Sequence, residues 1–235
     1  MRIDFITLFP EVVLKAVRFS ILARAEERSL VQFHAVNPRD FATDKHKTVD
    51  DTPYGGGPGM VLKPDVVDSA IASVLQDHSL VIATDPSGDL FTQNHARELA
   101  QQKHLIFVCG HYEGIDERVL EKHAKLRLSI GDFVLTGGEL PAAVMADAIV
   151  RLLPGVLGDP LSLQEDAFAD GLLSYPQYTR PEIWEGRRVP EVLLSGNHQE
   201  IARWRRKQRL LLTRKRRPDL FARAPLTKTD LDLLK

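Results

Sequence analysis

Leu105-Ile106-Phe107-Val108-Cys109-Gly110-His111-Tyr112-Glu113-Gly114 is the stretch on which the fold turns. Its five leading apolar residues read as a strand buried on both faces, the pattern of a parallel sheet covered by helices on either side. The glycine-bounded loop that follows then lies at the carboxyl end of a strand. Similar runs recur on either side, at Ile3–Leu8, Val31–Val36, Leu80–Ala83 and Leu126–Ile130. Helical patterns separate them. Pro10 suits the first turn of a helix running to about Glu27, and Pro64 that of a helix to about Leu75. Thr92–Gln102 and Ile115–His123 are helical in pattern, and Pro141 opens a helix ending near Leu153. The alternation predicts an α/β fold with a mostly parallel sheet.

The pattern changes near Gly158. Residues 1–157 form the predicted α/β domain. Residues 158–174 mix Asp, Gly, Ser and Pro with scattered apolar side chains and read as a linker, ordered when something binds. Residues 175–235 read as a basic helical domain, with Asn197-His198-Gln199-Glu200 preceding a helix to about Lys215 and a last short helix capped by Thr227 and Asp230. The chain has 235 residues and a net charge of −1, but the charge is divided unevenly. From Tyr175 to Lys235 there are 15 Lys and Arg against 7 Asp and Glu, a net of +8, which leaves −9 on the first 174 residues. Such asymmetry suggests a polyanion-facing module on an acidic body.

A hydrophobic fraction of 43% excludes a disordered chain. No apolar run approaches the roughly 20 residues that a membrane span needs. The best candidate, Leu140 to Leu157, is interrupted by Asp147 and Arg151, and Asp4 stands where a secretion signal needs apolar residues. Cys109, the single cysteine, closes an apolar strand and reads as buried and inert. The expectation is a soluble, cytoplasmic protein.

Three loops follow three strands: Thr84-Asp85-Pro86-Ser87-Gly88, Gly110 to Gly114, and Ser129 to Glu139. In open α/β sheets, ligands lodge beyond the carboxyl ends of the strands. Gly110, Gly131, Gly137 and Gly138 would let backbone groups reach one ligand, and Ile130 and Leu135 would suit the faces of an adenine. Pro86, Tyr112, Asp132, Phe133, Val134 and Pro141 join the same candidate site. Taken singly, each loop fits a tight turn better than a binding loop, and only the three together bring the two readings level; Asp132 and Glu139 also suit capping of the next helix. The first strand is followed by Thr7-Leu8-Phe9-Pro10-Glu11, which lacks the Gly-x-Gly of a dinucleotide site. Tyr54-Gly55-Gly56-Gly57-Pro58-Gly59 is no phosphate loop either, since no Gly-Lys-Ser/Thr follows. Thr48-Val49-Asp50-Asp51 before it suggests an ordered polar turn.

Nine basic residues stand among the fifteen from Arg203 to Arg217, with no acid between them. Exposed helices ordinarily balance such charge with Glu, so an unbalanced run points to phosphate as partner. Arg203, Arg205, Arg206 and Arg209 are the candidate nucleic-acid contacts. An acidic protein, a membrane surface or a merely solvated face are the competing readings.

Pro38-Arg39-Asp40-Phe41, Thr48 to Asp51 with Pro53 to Met60, Cys109 to Arg118, Ser129 to Asp132, Thr136 to Pro141, Tyr178 to Pro181 and Leu193 to His198 occur in fixed order. In these stretches the chain closely resembles the bacterial tRNA (guanine-N1)-methyltransferases of the knotted SPOUT superfamily, over essentially its whole length. The resemblance implies a deep trefoil knot in the α/β domain, which periodicity could not show, and a homodimer with active sites shared between subunits. It implies S-adenosylmethionine held by Gly110 and Ile130 to Leu135, tRNA as substrate, and Arg151 and Asp166 as catalytic residues. Read without the resemblance, those two fit a surface arginine and a solvated acid better than a catalytic pair. The resemblance further points to Mg2+ with Glu113 as a contributor, although the sequence itself shows no metal-ligand cluster. The chain departs from the family pattern at Asp85, Ser87, Asp89 and His111.

The implied reaction is methylation of N1 of the guanine 3′-adjacent to the anticodon. Asp166 would take the N1 proton and Arg151 would stabilise charge developing towards O6. The competing functions are an RNA-binding module without turnover, and a knotted methyltransferase of ribosomal RNA or of ribose 2′-OH.

Overall fold

The computed structural model describes residues 1–158 and 166–235. It divides into two compact units, Met1–Gly158 and Asp159–Lys235.

The first unit runs β1 (Arg2–Ile6), α1 (Pro10–Val17), α2 (Ser20–Glu27), β2 (Gln32–Val36), a 3-10 turn at Pro38–Phe41, β3 (Asp50–Asp51), β4 (Val61–Leu62), α3 (Pro64–Ala72), β5 (Ser79–Leu90), α4 (Gln93–Leu99), β6 (His104–Cys109), α5 (Glu117–His123), β7 (Leu126–Ser129) and α6 (Glu139–Val150). Five strands form one sheet in the order β2-β1-β6-β5-β7, and every pairing is parallel. β6 is buried at every position because both faces are covered. Alternate residues serve alternate cores, as strand geometry requires. Leu105 and Phe107 join Ile3, Phe5 and Phe33 beneath α1, α2, α4 and α6. Ile106 and Val108 join Ile6 and Val81 beneath α3 and α5. Phe5 stacks on Phe107 with ring centroids 5.8 Å apart.

The opposite edge of the sheet is laced by polar groups. Arg2 donates to Asp4 at 2.7 and 2.9 Å, Asp4 meets His104 Nε2 at 2.6 Å, and His104 Nδ1 meets Ser79 Oγ at 2.7 Å. The order Ser-His-Asp is that of hydrolases. Here Asp4 and His104 have no exposed surface and Asp4 is clamped by Arg2, so the group ties three strand starts together.

Three predicted elements differ. The single helix from Pro10 to Glu27 is broken at Arg18 and Phe19. In a continuous helix Leu22 would lie about 140° around the axis from Val17. The break re-phases the chain so that Val13, Val17, Leu22 and Ala25 all reach the core. Arg18 holds the corner by donating to Glu26 and to the carbonyl of Phe33. The expected loop after Ala83 is part of β5, which continues to Leu90. Thr84 and Asp89 both pair with Leu128, so the residues between them bulge out of the ladder. The polar turn at Thr48–Asp51 supplies β3, which pairs with β4 and leaves the glycine-rich stretch at the hairpin tip.

The described second unit contains a hairpin of β8 (Ile183–Trp184) and β9 (Arg187–Arg188), a 3-10 turn at Glu191–Leu194, and helices α7 (His198–Arg216), α8 (Pro218–Arg223) and α9 (Lys228–Leu233). Asn197 caps α7, and Thr227 with Asp230 forms the expected capping box on α9. Of the predicted linker, 159–165 lie outside the described residues. The remainder is packed rather than loose. Leu172 is fully buried with Leu210 and Leu233, and its neighbour Leu173 donates from its backbone to Thr213 Oγ1. Asp170 accepts from Arg206 and Arg209.

Candidate active site

A cavity of about 450 Å3 opens at the carboxyl ends of β5, β6 and β7, within the range of small-molecule sites. It forms there because the chain passes from β6 to β7 across β5, so the segments after β6 and β7 converge over the β5 bulge. The predicted residues Pro86, Gly110, Tyr112, Ile130 and Gly131 line it, as do Phe133, Val134, Leu135, Gly137, Gly138 and Pro141. Asp132, on the same segment, is exposed and lies outside this lining.

Glycines make the convergence possible. Gly138 N donates to Gly110 O at 2.8 Å, and His111 bridges Gly137. A Cβ on Gly138 would fall on Thr84 Oγ1 and lie 2.8 Å from both Cys109 Cα and Gly110 N. Gly131 has φ 154°, and the Phe133 ring covers the place of its missing side chain. Gly88 faces the Arg127 backbone just as closely, which lets the β5 bulge lie against β7.

The walls are mixed in character. Phe133, Val134 and Leu135 are exposed apolar groups on one segment. Thr84, Ser129 and Thr136 supply hydroxyls. His111, packed between Phe9 and Tyr112, has a buried Nδ1 with no hydrogen-bond partner. An unsatisfied buried nitrogen on a cavity wall fits a polar ligand, and residue patterning had marked His111 only as a departure. Tyr112 adopts φ 59°, which turns the loop back into the cavity. Gly59 of the hairpin tip packs against the Glu113 side chain, and Glu113 N donates to Met60 O at 2.9 Å. The end of the glycine-rich stretch thus touches Glu113, which lines the cavity.

Glu139 begins α6, buried, and accepts from Thr7 Oγ1 at 2.7 Å. A carboxylate there complements the helix dipole. Burial, with Glu139 adding to it, pushes the Cys109 thiol well up, which leaves it an inert core residue behind the cavity lining. Among the described residues no group of three or more His, Cys, Asp and Glu is gathered as a metal ion requires.

Arg151 caps the carboxyl end of α6, whereas Gly138 and Pro141 bound the cavity at its amino end. Asp166 belongs to the second unit, where it opens a turn that Asp170 and Leu172 anchor to α7. Arg206 donates to Asp230 at 2.6 and 2.8 Å as well as to Asp170, and Arg209 donates to Asp170 and to Leu173 O. The Asp230 carboxyl is held far below the usual range, chiefly by Arg206. Burial raises that of Asp170, but Arg206 and Arg209 outweigh it and the net shift is downward. Arg206 and Arg209, read from the sequence as phosphate contacts, are thus engaged with acids inside the unit. The sequence run contained no acid because these acids come from distant positions. Arg203, Lys207, Arg214, Lys215 and Arg216 are exposed and have no acidic partner among the described residues.

The family model described as tRNA (Guanine-1)-methyltransferase TrmD matches residues 1–223. A tRNA (guanine-N(1)-)-methyltransferase of Dictyoglomus turgidum is 54% identical over 234 residues, covering 100% of this chain and 95% of the relative. Proteins with the same description from Pelotomaculum thermopropionicum and Staphylococcus epidermidis are 52% and 51% identical, each over 100% of this chain and 95% and 96% of their own lengths.

Proposed function

The chain belongs to the tRNA (guanine-1)-methyltransferase family, which makes it an enzyme that methylates guanine in tRNA, and we propose that its target is N1 of the guanine 3′-adjacent to the anticodon. The observation that carries the cofactor side of this reading is the cavity over β5, β6 and β7, where Gly138 lies against the backbone of Cys109 and Gly110 with no room for a Cβ, and where Phe133 and His111 close over Gly131 and Gly137. S-adenosylmethionine fits its mixture of apolar walls, hydroxyls and an unsatisfied His111 nitrogen, and supplies an activated methyl group when bound. Gly110, Gly131, Gly137 and Gly138 would hold it through backbone groups, with Ile130, Phe133 and Leu135 against the adenine. A trefoil knot in the α/β domain belongs to the same reading, with the 130–138 segment packed against Gly110 and Thr84.

N1 of guanine carries a proton at neutral pH. Asp166 would accept it, and Arg151 would stabilise charge developing on O6. N1 lies on the Watson–Crick edge, so the base must be unpaired or flipped out. Arg151 stands about 15 Å along α6 from Pro141. Leu140 and Val144 on the same helix are 55% and 51% exposed, and Val12 of the neighbouring α1 is exposed too. A two-fold axis crossing α6 near Val144 would cover these side chains and set one subunit's Arg151 beside the other's cavity. A homodimer with shared active sites follows, acting in the cytoplasm where tRNA is found. No step is assigned to Mg2+.

The test is methyl transfer from S-adenosylmethionine to tRNA, with the product nucleotide mapped. Modification at N1 of the guanine after the anticodon is expected, and its replacement by adenine should abolish transfer. Methylation of ribose, or of ribosomal RNA instead of tRNA, would refute the assignment.

A further inference from the structure

We propose that the second unit carries its own pocket for one unpaired nucleobase of the RNA, separate from the site that receives the target guanine. The inference rests on tRNA being the substrate. Among the described residues a second cavity, of about 980 Å3, lies entirely within this unit. The segment Tyr175–Glu182 and the 3-10 turn at Glu191–Leu194 frame it, and Ile201 and Arg205 of α7 close it.

Its lining is that of a base-stacking site. Tyr175 and Tyr178 are aromatic walls, and Leu193 and Ile201 supply apolar surface. The Arg205 guanidinium lies over the Tyr175 ring at 4.8 Å from its centroid, the arrangement of a flat cationic platform. Guanidinium planes and tyrosine rings are the groups on which unpaired bases stack. Arg205 Nε is buried and has no hydrogen-bond partner. A buried donor on a charged group is costly to leave unpaired, and a base carbonyl or ring nitrogen would satisfy it. Arg180, exposed at the rim and without an acidic partner among the described residues, suits the adjoining phosphate. The acid in the lining, Glu182, is occupied by Arg188. An acidic peptide would also meet the two arginines but would make no use of the two rings.

Trp204 provides the readout, because its ring centroid is 6.3 Å from that of Tyr178. The chain has two tryptophans, so Trp184→Phe in the full-length protein leaves Trp204 as the sole reporter. Titration with uridine, adenosine and guanosine 5′-monophosphates should quench Trp204 fluorescence, whereas a poly-glutamate peptide at equal charge should not. Tyr178→Ala should abolish the quenching and raise the KM for tRNA by about 5- to 100-fold, the factor that one stacked base contributes. The effect should fall on KM rather than kcat and leave S-adenosylmethionine affinity unchanged. Tyr178→Phe keeps the ring and should behave as the parent, which separates an absent stacking partner from a failure to fold. Unquenched fluorescence with a parent-like KM in Tyr178→Ala would overturn the proposal, as would equal quenching by the peptide. Quenching does not depend on turnover, so a parent protein that fails to methylate tRNA would sink the functional reading without deciding this one.

Discussion

Replacing Gly138 by Ala adds one methyl group at the point where the 130–138 segment crosses the end of β6. The backbone would accept alanine, since φ is −84°. The surroundings would not, because the added carbon falls on Thr84 Oγ1 and lies 2.8 Å from Cys109 Cα and Gly110 N. Two of these three neighbours are backbone inside the sheet, so a side-chain rotation cannot relieve the clash. Overpacking of this kind costs about 1–3 kcal/mol. The segment must move, and the Gly138–Gly110 hydrogen bond goes with it at about 1 kcal/mol. The sum, about 2–4 kcal/mol, corresponds to a fall in Tm of about 4–16 °C. Because Gly137 and Gly138 are also cavity wall, S-adenosylmethionine affinity should drop about tenfold or more, which takes only about 1.4 kcal/mol of that cost. Gly110→Ala is the internal control for stability. Its Cβ would meet nothing closer than Thr84 O at 3.7 Å, so its Tm should stay near that of the parent. Thermal unfolding and titration calorimetry on both variants decide the matter. A Gly138→Ala protein with parent-like Tm and affinity, or equal destabilisation by both substitutions, would refute the packing argument.

Asp166→Asn should bind S-adenosylmethionine normally and lose about 10²–10⁴-fold in kcat, the worth of a general base; near-normal single-turnover rates would remove Asp166 from the chemistry. Asp230→Asn should cost the second unit about 1–3 kcal/mol at neutral pH, because it breaks the pair with Arg206. The folded pKa of Asp230 is depressed, so this stabilisation is present above the unfolded value of about 4 and is lost as pH falls through the folded one. The gap between parent and variant in urea denaturation should therefore narrow from roughly pH 6 towards pH 2, and a gap that is constant with pH would contradict the pairing. Neutralising Arg203, Lys207, Arg214, Lys215 and Arg216 together should weaken tRNA binding and flatten its salt dependence, by about 0.7–0.9 in log–log slope for each phosphate no longer neutralised. The same change at Arg206 and Arg209 should show first as reduced stability, and a unit that stays fully stable without them would overturn their structural role.

The strands, their parallel arrangement and the position of the cavity were legible in the sequence because they depend on local order. The unbroken run Leu105–Cys109 means two covered faces, and Gly131, Gly137 and Gly138 mark where the chain passes close to its neighbours. Capping at Thr227 and Asp230 was legible for the same reason, since a cap and its helix are neighbours in the chain. What exceeded the sequence were decisions made between distant residues. Whether Pro10–Glu27 stays one helix depends on the core that α1 and α2 must share. Whether Asp85–Gly88 ends β5 or bulges from it depends on how Leu128 pairs. Most plainly, Arg203, Arg206, Arg209 and Arg216 look alike in a basic run. Burial and the arrival of Asp170 and Asp230, 36 and 24 residues away from Arg206, turn two of them into internal ties and leave the others to solvent. Charge in a sequence is a count; which charges remain available to a partner is settled by what the folded chain brings against them.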